Sequence, residues 1–340
     1  MIRYGPSGIP LSCKGRTLFY GIEDVHSLGL TAMEVQLIRS STSPRTPDDE
    51  EVGKSPSELQ TDLIVEIQRR DGKTVERINA PDEKIRSGDT LLILESGLCH
   101  SYSELYEMAD YAKDHDVQLS VHSTYYADFS GRTEMVERSK NNLKWACLIC
   151  DALDGVVVST QLGFYGSKGK KAGGEAIVRN IREVRDWWKE NKLSPPIGLE
   201  TSGRQEIFGS LDEILDTVKR VKGTIPVINF AHLHSKEGAI LREPDDFRTV
   251  ISRVRKASEG LLYTSFSGVE HYGGNELRLT PIKRGDLRFE PLAELIVEEN
   301  PEMTIISSSP LLEHDAIYMK VIFERMLSRV VTKEDREKVA

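Results

Sequence analysis

Imidazole and carboxylate side chains recur at the ends of short apolar runs in this 340-residue chain. Val121-His122-Ser123 ends one run, Thr160-Gln161 a second and Leu199-Glu200-Thr201 a third. A fourth ends in Asn229-Phe230-Ala231-His232-Leu233-His234, and a fifth, through Tyr263-Thr264-Ser265, leads into Glu270-His271. His, Glu and Asn gathered in one place suit a borderline divalent ion such as zinc or manganese, and they suit acid–base catalysis without a metal as well. Glu200 is the hardest to explain as structure alone, because apolar Pro195–Leu199 precedes it and an unpaired buried carboxylate is costly. A lone His122 reads as readily as a satisfied strand-end polar group. His232 and His234 straddle a strand-to-helix junction, so one of them is expected to face the site. His271 lies in the Gly-rich GVEHYGGNE and reads equally as solvated. His26, His100, His115 and His314 are read as structural or exposed.

Two basic loops are expected on the same side. Lys14 and Arg16 follow the first run in GPSGIPLSCKGR, and Lys168, Lys170 and Lys171 lie in GFYGSKGKKAGG ahead of a helix. Gly-rich loops carrying Lys near a helix start can hold phosphate through backbone N–H groups and point charge. Either loop alone reads as well as a solvated turn; two on one face favour a phosphate-bearing substrate. The chain has no Walker motif, dinucleotide fingerprint or nucleophile elbow, and its Gly-Gly pairs are too weak to count as one.

Something must bring these strand ends together. Apolar runs at Ile2–Tyr4, Ala32–Ile38, Val117–Val121, Gly155–Thr160, Ile197–Glu200, Ile225–Phe230, Leu261–Phe266 and Met303–Ser308 alternate with amphipathic stretches such as EAIVRNIREVRDWWKEN. That alternation implies parallel strands joined by helical crossovers, and about eight such units close a TIM (β/α)8 barrel. An open doubly wound sheet is the competing α/β architecture. The barrel is assigned to residues 1–39 and 99–325. Residues 40–98 are a small β-rich insertion in the second βα connection, opened by a flexible Pro/Ser-rich stretch confined to 40–58. The Asp71–Gly72 pair predicts a hairpin within it. Residues 326–340 read as a charged C-terminal tail.

Composition narrows the classes. With 45 Lys+Arg against 54 Asp+Glu the net charge is −9, which disfavours non-specific coating of nucleic acid. No run approaches the roughly 18–20 apolar residues of a spanning helix, and the start lacks the apolar stretch of a signal peptide, so a cytoplasmic protein is expected. Cys147 and Cys150 form a CxxC inside the apolar LKWACLICDAL and are read as buried helix residues, with Cys13 and Cys99 unpaired.

In GIPLSCKGRT, GIEDVHSLGLTAMEVQ, SVHSTYYADFSG, GFYG, GLETSGRQEIFGSLDEI, PVINFAHLHS, FSGVEH and ISSSPLLEHDA the sequence resembles the endonuclease IV branch of the xylose-isomerase-like TIM barrels. The resemblance spans nearly everything outside the insertion. It implies an AP endonuclease that cuts DNA beside abasic sites, a DNA-repair hydrolase using three metal ions, usually zinc. On that basis His122, Glu200 and His232 match ligand positions, with Glu200 as bridging ligand or base. Gln161 stands where the family places a histidine, Asn229 replaces an aspartate, Tyr263 (or Ser265) a histidine and Ser308 a glutamate. The family's Asp-x-His pair appears as Leu277-Arg278-Leu279.

Neutral substitutes cannot offset three divalent ions, since even two unit charges about 4 Å apart repel by several kcal/mol at the effective dielectric of a protein. One or two ions at most are therefore expected, down to none, with His122, Glu200 and His232 as ligands and His234, Glu270 and His271 as weaker candidates. The leading reading is a metal-dependent phosphodiester hydrolase on abasic or damaged DNA, steered by Lys14, Arg16, Lys168 and Lys170. The alternatives are a sugar or sugar-phosphate isomerase or epimerase, in which Glu200 moves a proton beside a carbonyl, and a non-catalytic binding barrel. The last would use the insertion as its contact surface, on the expectation that the barrel does not need it.

Overall fold

The computed structural model describes residues 1–37, 40–167, 169–258 and 260–339, the last nine as backbone alone. The chain begins β1 (Ile2–Pro6), α1 (Leu18–Ser27) and β2 (Ala32–Gln36), then four short strands, β3 (Ser41–Arg45), β4 (Ile64–Asp71), β5 (Thr74–Ile78) and β6 (Thr90–Glu95). It continues with α2 (Tyr102–Asp114), β7 (Gln118–His122), α3 (Thr133–Ala152), β8 (Val158–Thr160), α4 (Gly169–Glu190), β9 (Ile197–Glu200) and α5 (Leu211–Arg220). β10 (Thr224–Asn229) runs straight into α6 (Phe230–Lys236), followed by α7 (Pro244–Arg255) and β11 (Tyr263–Phe266). A hairpin of β12 (Gly268–Tyr272) and β13 (Asn275–Thr280) precedes α8 (Glu290–Glu299), β14 (Met303–Ser307) and α9 (Glu313–Val339).

β1, β14, β11, β10, β9, β8, β7 and β2 hydrogen-bond in that order, every pair parallel. One parallel bridge between Ser7 and Glu34 brings the two ends together, nearly closing the ring. This is the TIM barrel, not the open sheet. The period of two sorts side chains between its inside and outside. Along β10, Ile225 and Val227 join Ala32, Val157, Tyr263 and Ile306 inside the barrel, while Ile228 joins the larger layer between strands and helices. Each fully buried Ile or Leu contributes about 1.5–3 kcal/mol. The helices start where the sequence tells them to. In α5, Leu211, Ile214 and Val218 form one buried face, and Ser210 and Glu213 make a reciprocal capping box at its N-terminus.

Between β2 and α2 lies a four-stranded antiparallel sheet in the order β3-β6-β4-β5. Asp71 and Thr74 pair across the expected hairpin, with Gly72 at φ 58°, where a glycine costs least. The Pro/Ser-rich stretch differs from expectation. Ser41–Arg45 is an edge strand paired with β6, and Arg45 is pinned by ion pairs to Glu51 and Asp62. The sheet also packs directly on the barrel. Leu63, Val65 and Leu94 belong to the barrel's own apolar layer, while Ile64, Ile67 and Leu91 pack on the opposite side with Leu59 and Ile85. Residues 326–339 continue α9 as helix rather than separating as a tail, since neither Gly nor Pro follows Glu313 to stop it.

Candidate active site at the barrel mouth

Glu200, the last residue of β9, is buried, and both of its oxygens are answered. His122 Nε2, at the end of β7, donates to Oε2 over 3.2 Å, and Asn229 Nδ2, at the end of β10, donates to Oε1 over 3.1 Å. The other imidazole nitrogen of His122 donates to the Ser123 carbonyl at 2.6 Å, so both nitrogens carry protons. Burial alone would depress the His122 imidazolium, but the hydrogen bond to Glu200, its charge and that of Glu34 raise it well above the usual histidine range. Burial would likewise raise Glu200, and His122, His232 and Asn229 together hold it below the usual carboxylate range. The pair is a buried ion pair. Tyr125 stacks on the His122 ring with centroids 4.5 Å apart.

The junction of β10 and α6 supplies the second half of the site. Asn229 ends the strand and caps the helix, its Oδ1 accepting from His232 N. No loop intervenes, so His232 falls in the first turn of α6, at the mouth. At 100° per residue His234 points almost the opposite way. His232 Nδ1 donates to the Thr201 carbonyl at 2.8 Å, and Nε2 stands 3.2 Å from Glu276 Oε2 and 3.4 Å from Asn229 Nδ2. Glu276 Oε2 is buried, and no other donor among the described residues reaches it.

Glu276, on β13, is a site residue that the sequence does not single out, since it stands just before Leu277-Arg278-Leu279, where the family's ligand pair is expected. Its backbone N–H bonds Gly203 O at 2.7 Å, tying the hairpin to the loop after β9. Lys236, buried at the end of α6, holds that same loop by donating to the carbonyls of Arg204 and Ile207 at 2.5 Å. Burial lowers the Lys236 ammonium to about 8. A cavity of about 540 Å3 opens above His232 and Glu276, walled by Tyr125, Tyr126, Phe164 and Arg204 and including Gln161.

Below the mouth lies a second carboxylate that the sequence reading passed over. Glu34 shares the inward face of β2 with Ala32 and Gln36. It accepts from Ser7 Oγ (2.9 Å), Gln36 Nε2 (2.7 Å), Ser159 Oγ (3.1 Å) and Tyr263 OH (2.9 Å). Tyr263 is thus an interior residue bound to Glu34 and Ser120, and not a substituted mouth ligand. Its inward neighbour Ser265 pairs in register with Asn229 and stands at mouth height. The hydroxyls of Ser265 and Ser308 are buried without partners.

Other expected site residues lie elsewhere. Glu270 is held by two 2.8 Å bonds from Arg278 on the exposed face of the hairpin. Lys14 and Arg16 are exposed in the loop after β1, and Lys170 sits over the Tyr165 ring at 5.3 Å. None of these three lines the mouth cavity. Lys168 lies outside the described residues. Cys147 and Cys150 are buried, unpaired residues of α3.

A metal cluster fits poorly. Among the described residues, one group of three has ligand atoms all within 4.8 Å: His234, His271 and Asp286, behind α6. There the Leu241 N–H donates to His234 Nδ1 at 3.2 Å, so the neutral imidazole carries its proton on Nε2, toward Asp286. A metal-ligating histidine has the reverse arrangement. At the mouth, His122, Glu200 and His232 do meet, but as an ion pair and a capped helix turn whose donor atoms do not converge to that distance. An ion there would displace the proton that makes His122 the partner of Glu200.

Residues 100–308 match the family model described as xylose isomerase-like TIM barrel. The chain belongs to that family. It is 22% identical over 233 residues to an uncharacterized protein of Methanocaldococcus jannaschii, covering 65% of this chain and 84% of that one. Among solved structures, endonuclease IV from Thermus thermophilus superposes with a TM-score of 0.59 at 13% identity, covering 96% of this chain and 99% of the other. An L-ribulose 3-epimerase also gives 0.59, at 10% identity over 98% and 97% of the two chains. A D-tagatose 3-epimerase-like protein gives 0.54 at 17% identity over 70% and 85%. Nuclease and sugar enzymes of the xylose isomerase-like family are therefore equally near in shape. At these identities the likeness is one of fold. Among the described residues no helix is long and apolar enough to cross a membrane.

Proposed function

We propose that this protein is an acid–base enzyme acting on a small polyhydroxylated carbonyl compound, an aldose–ketose isomerase in which His232 and Glu276 exchange the transferred proton. The observation that carries this is the facing of His232 Nε2 and Glu276 Oε2 at 3.2 Å on the floor of a small aromatic-walled cavity. An imidazole and a carboxylate so placed share a proton or take a substrate hydroxyl between them, which is the starting condition for general acid–base catalysis. One of the pair removes the proton from carbon beside the carbonyl. The resulting enediolate takes that proton back at the former carbonyl carbon while the other group of the pair carries the hydroxyl proton from the hydroxyl oxygen to the former carbonyl oxygen, and the carbonyl moves by one position. Both groups stand together, which suits a shift along one face of the substrate. Inversion at a single carbon, as in an epimerase, asks for bases on opposite faces. Glu200, with both oxygens accepting, positions His122 and Asn229 rather than acting as the base.

Cleavage of abasic or damaged DNA by a zinc- or manganese-dependent site is the second reading. Its support is the exposed rings of Tyr126 and Phe164 beside Arg204 at the rim, a combination that stacks bases and holds phosphate. Against it stand the acidic Asp128 and Glu276 in the same cavity and the absence of Lys14, Arg16 and Lys170 from its wall.

The test is proton NMR in D2O with pentoses, hexoses and their monophosphates, run with and without added Mn2+ or Zn2+, beside a nicking assay on an abasic duplex. Deuterium entering beside the carbonyl, reduced at least about 100-fold in His232→Asn and Glu276→Gln, is the expected result. Nicking of the duplex without any exchange in the sugars would overturn the isomerase and establish the nuclease.

A further inference from the structure

The mouth cavity does not end at its aromatic wall. Tyr126 and Met135 also line a second cavity of about 400 Å3, so the two adjoin at these side chains, the second lying toward the start of the insertion. This outer cavity is lined by Ser40, Ser41, Thr124, Arg138 and Asn142, with no carboxylate among them.

Its polar atoms are arranged as donors. Asn142 is buried in α3 and fixed from both sides: its Oδ1 accepts from Ser40 Oγ at 2.9 Å, and its Nδ2 donates to Thr124 Oγ1 at 3.0 Å. Because Thr124 accepts that bond, its own O–H is left to donate. Ser41 Oγ makes only a 3.5 Å contact to the Glu95 carbonyl. Arg138 has no ion-pair partner among the described residues, while Lys140 bridges Glu137 and Glu183. A guanidinium whose N–H groups are not taken up by an ion pair, beside hydroxyl donors in a cavity wall without carboxylates, is chemistry that selects an oxyanion. The inner cavity, though it includes Arg204, adds acceptors that the outer one lacks, offering the Asp128 and Glu276 carboxylates beside His232 to hydroxyl groups.

We infer that the two adjoining cavities together take a sugar monophosphate, its carbonyl end on His232 and Glu276 and its terminal phosphate on Arg138, Thr124 and Ser41. The inference rests on reading the mouth as a small-molecule site. It also gives the insertion a function, because Ser40 and Ser41, where the chain leaves the barrel, complete the phosphate end.

Binding is measured calorimetrically on the full chain with fructose 6-phosphate, fructose, glucuronate and inorganic phosphate. Fructose 6-phosphate is expected to bind at least about tenfold more tightly than fructose, with inorganic phosphate competing. Arg138→Gln, an exposed change on a helix surface, should abolish that difference and leave fructose binding where it was. Ser41→Ala should give a smaller loss in the same direction. Equal affinity for the two fructose compounds, or an Arg138→Gln protein that still prefers the phosphate, overturns the inference. Glucuronate bound in preference to the monophosphate, or an abasic oligonucleotide bound through Arg138 more tightly than either, overturns it as well. Because binding is read without turnover, Arg138-dependent binding without deuterium exchange would sink the isomerase reading alone.

Discussion

At the residue scale, Glu200 controls the mouth because a carboxylate buried there has to be answered by donors. His122 and Asn229 answer it. Removing one partner leaves an uncompensated charge, so His122→Ala should cost about 3–5 kcal/mol of unfolding free energy in urea. The pair also sets a pH profile. His122 is raised in the folded state, so its contribution is complete below the unfolded value of about 6.5 and is lost as pH rises toward about 9. Glu200 is lowered, so its contribution is complete above about 4.3 and is lost as pH falls through its depressed range. Chemical-denaturation stability should therefore be greatest between these limits, and His122→Gln should flatten the alkaline side. Asn229→Asp keeps the helix cap but replaces a donor to Glu200 with a second negative charge. It should destabilise the protein by about 1–3 kcal/mol at pH 7 and recover as Glu200 or the introduced carboxylate protonates in mild acid.

The element scale decides which groups meet. Glu276 reaches His232 because the β12–β13 hairpin is knitted to the loop after β9 and because Gly203 leaves room. A Cβ on Gly203 would lie 2.3 Å from Glu276 Oε2, so Gly203→Ala should cut proton exchange at least about tenfold while moving the melting temperature by only about 2 °C. Lys236→Met should free the loop between Thr201 and Gly209, read as faster tryptic cleavage after Arg204 with the barrel still folded. Much of this scaffold was legible in the sequence. Apolar runs of strand length, spaced by amphipathic helices, specify a barrel, and the residues that end those runs specify its mouth. Three things were not legible. Choosing Ser265 over Tyr263 needs the strand register. Glu276 belongs to an exposed-looking hairpin whose aim depends on contacts about 70 residues away, at Gln205 and Gly203. Glu34 is a charge within an apolar strand, and only barrel closure shows that four donors surround it.

For the whole molecule, the insertion is not an appendage. In Leu63-Ile64-Val65 successive side chains feed two different apolar clusters, which a continuous hydrophobic run does not reveal. Replacing residues 41–95 with a short linker strips Leu63, Val65 and Leu94 from the barrel layer, each worth about 1.5–3 kcal/mol. The shortened chain should melt at least about 5 °C lower, and the intact chain should give a single calorimetric transition instead of two. The ring order carries a further consequence. β14 sits between β1 and β11, pairing Met303 with Ile2 and Thr304 with Tyr263. β1 therefore waits for β14, made about 300 residues later, and until residue 307 has emerged both β1 and β11 expose open edges. Synthesis of this protein passes through a long interval of vulnerability to mispairing, which ends only when β14 closes the gap.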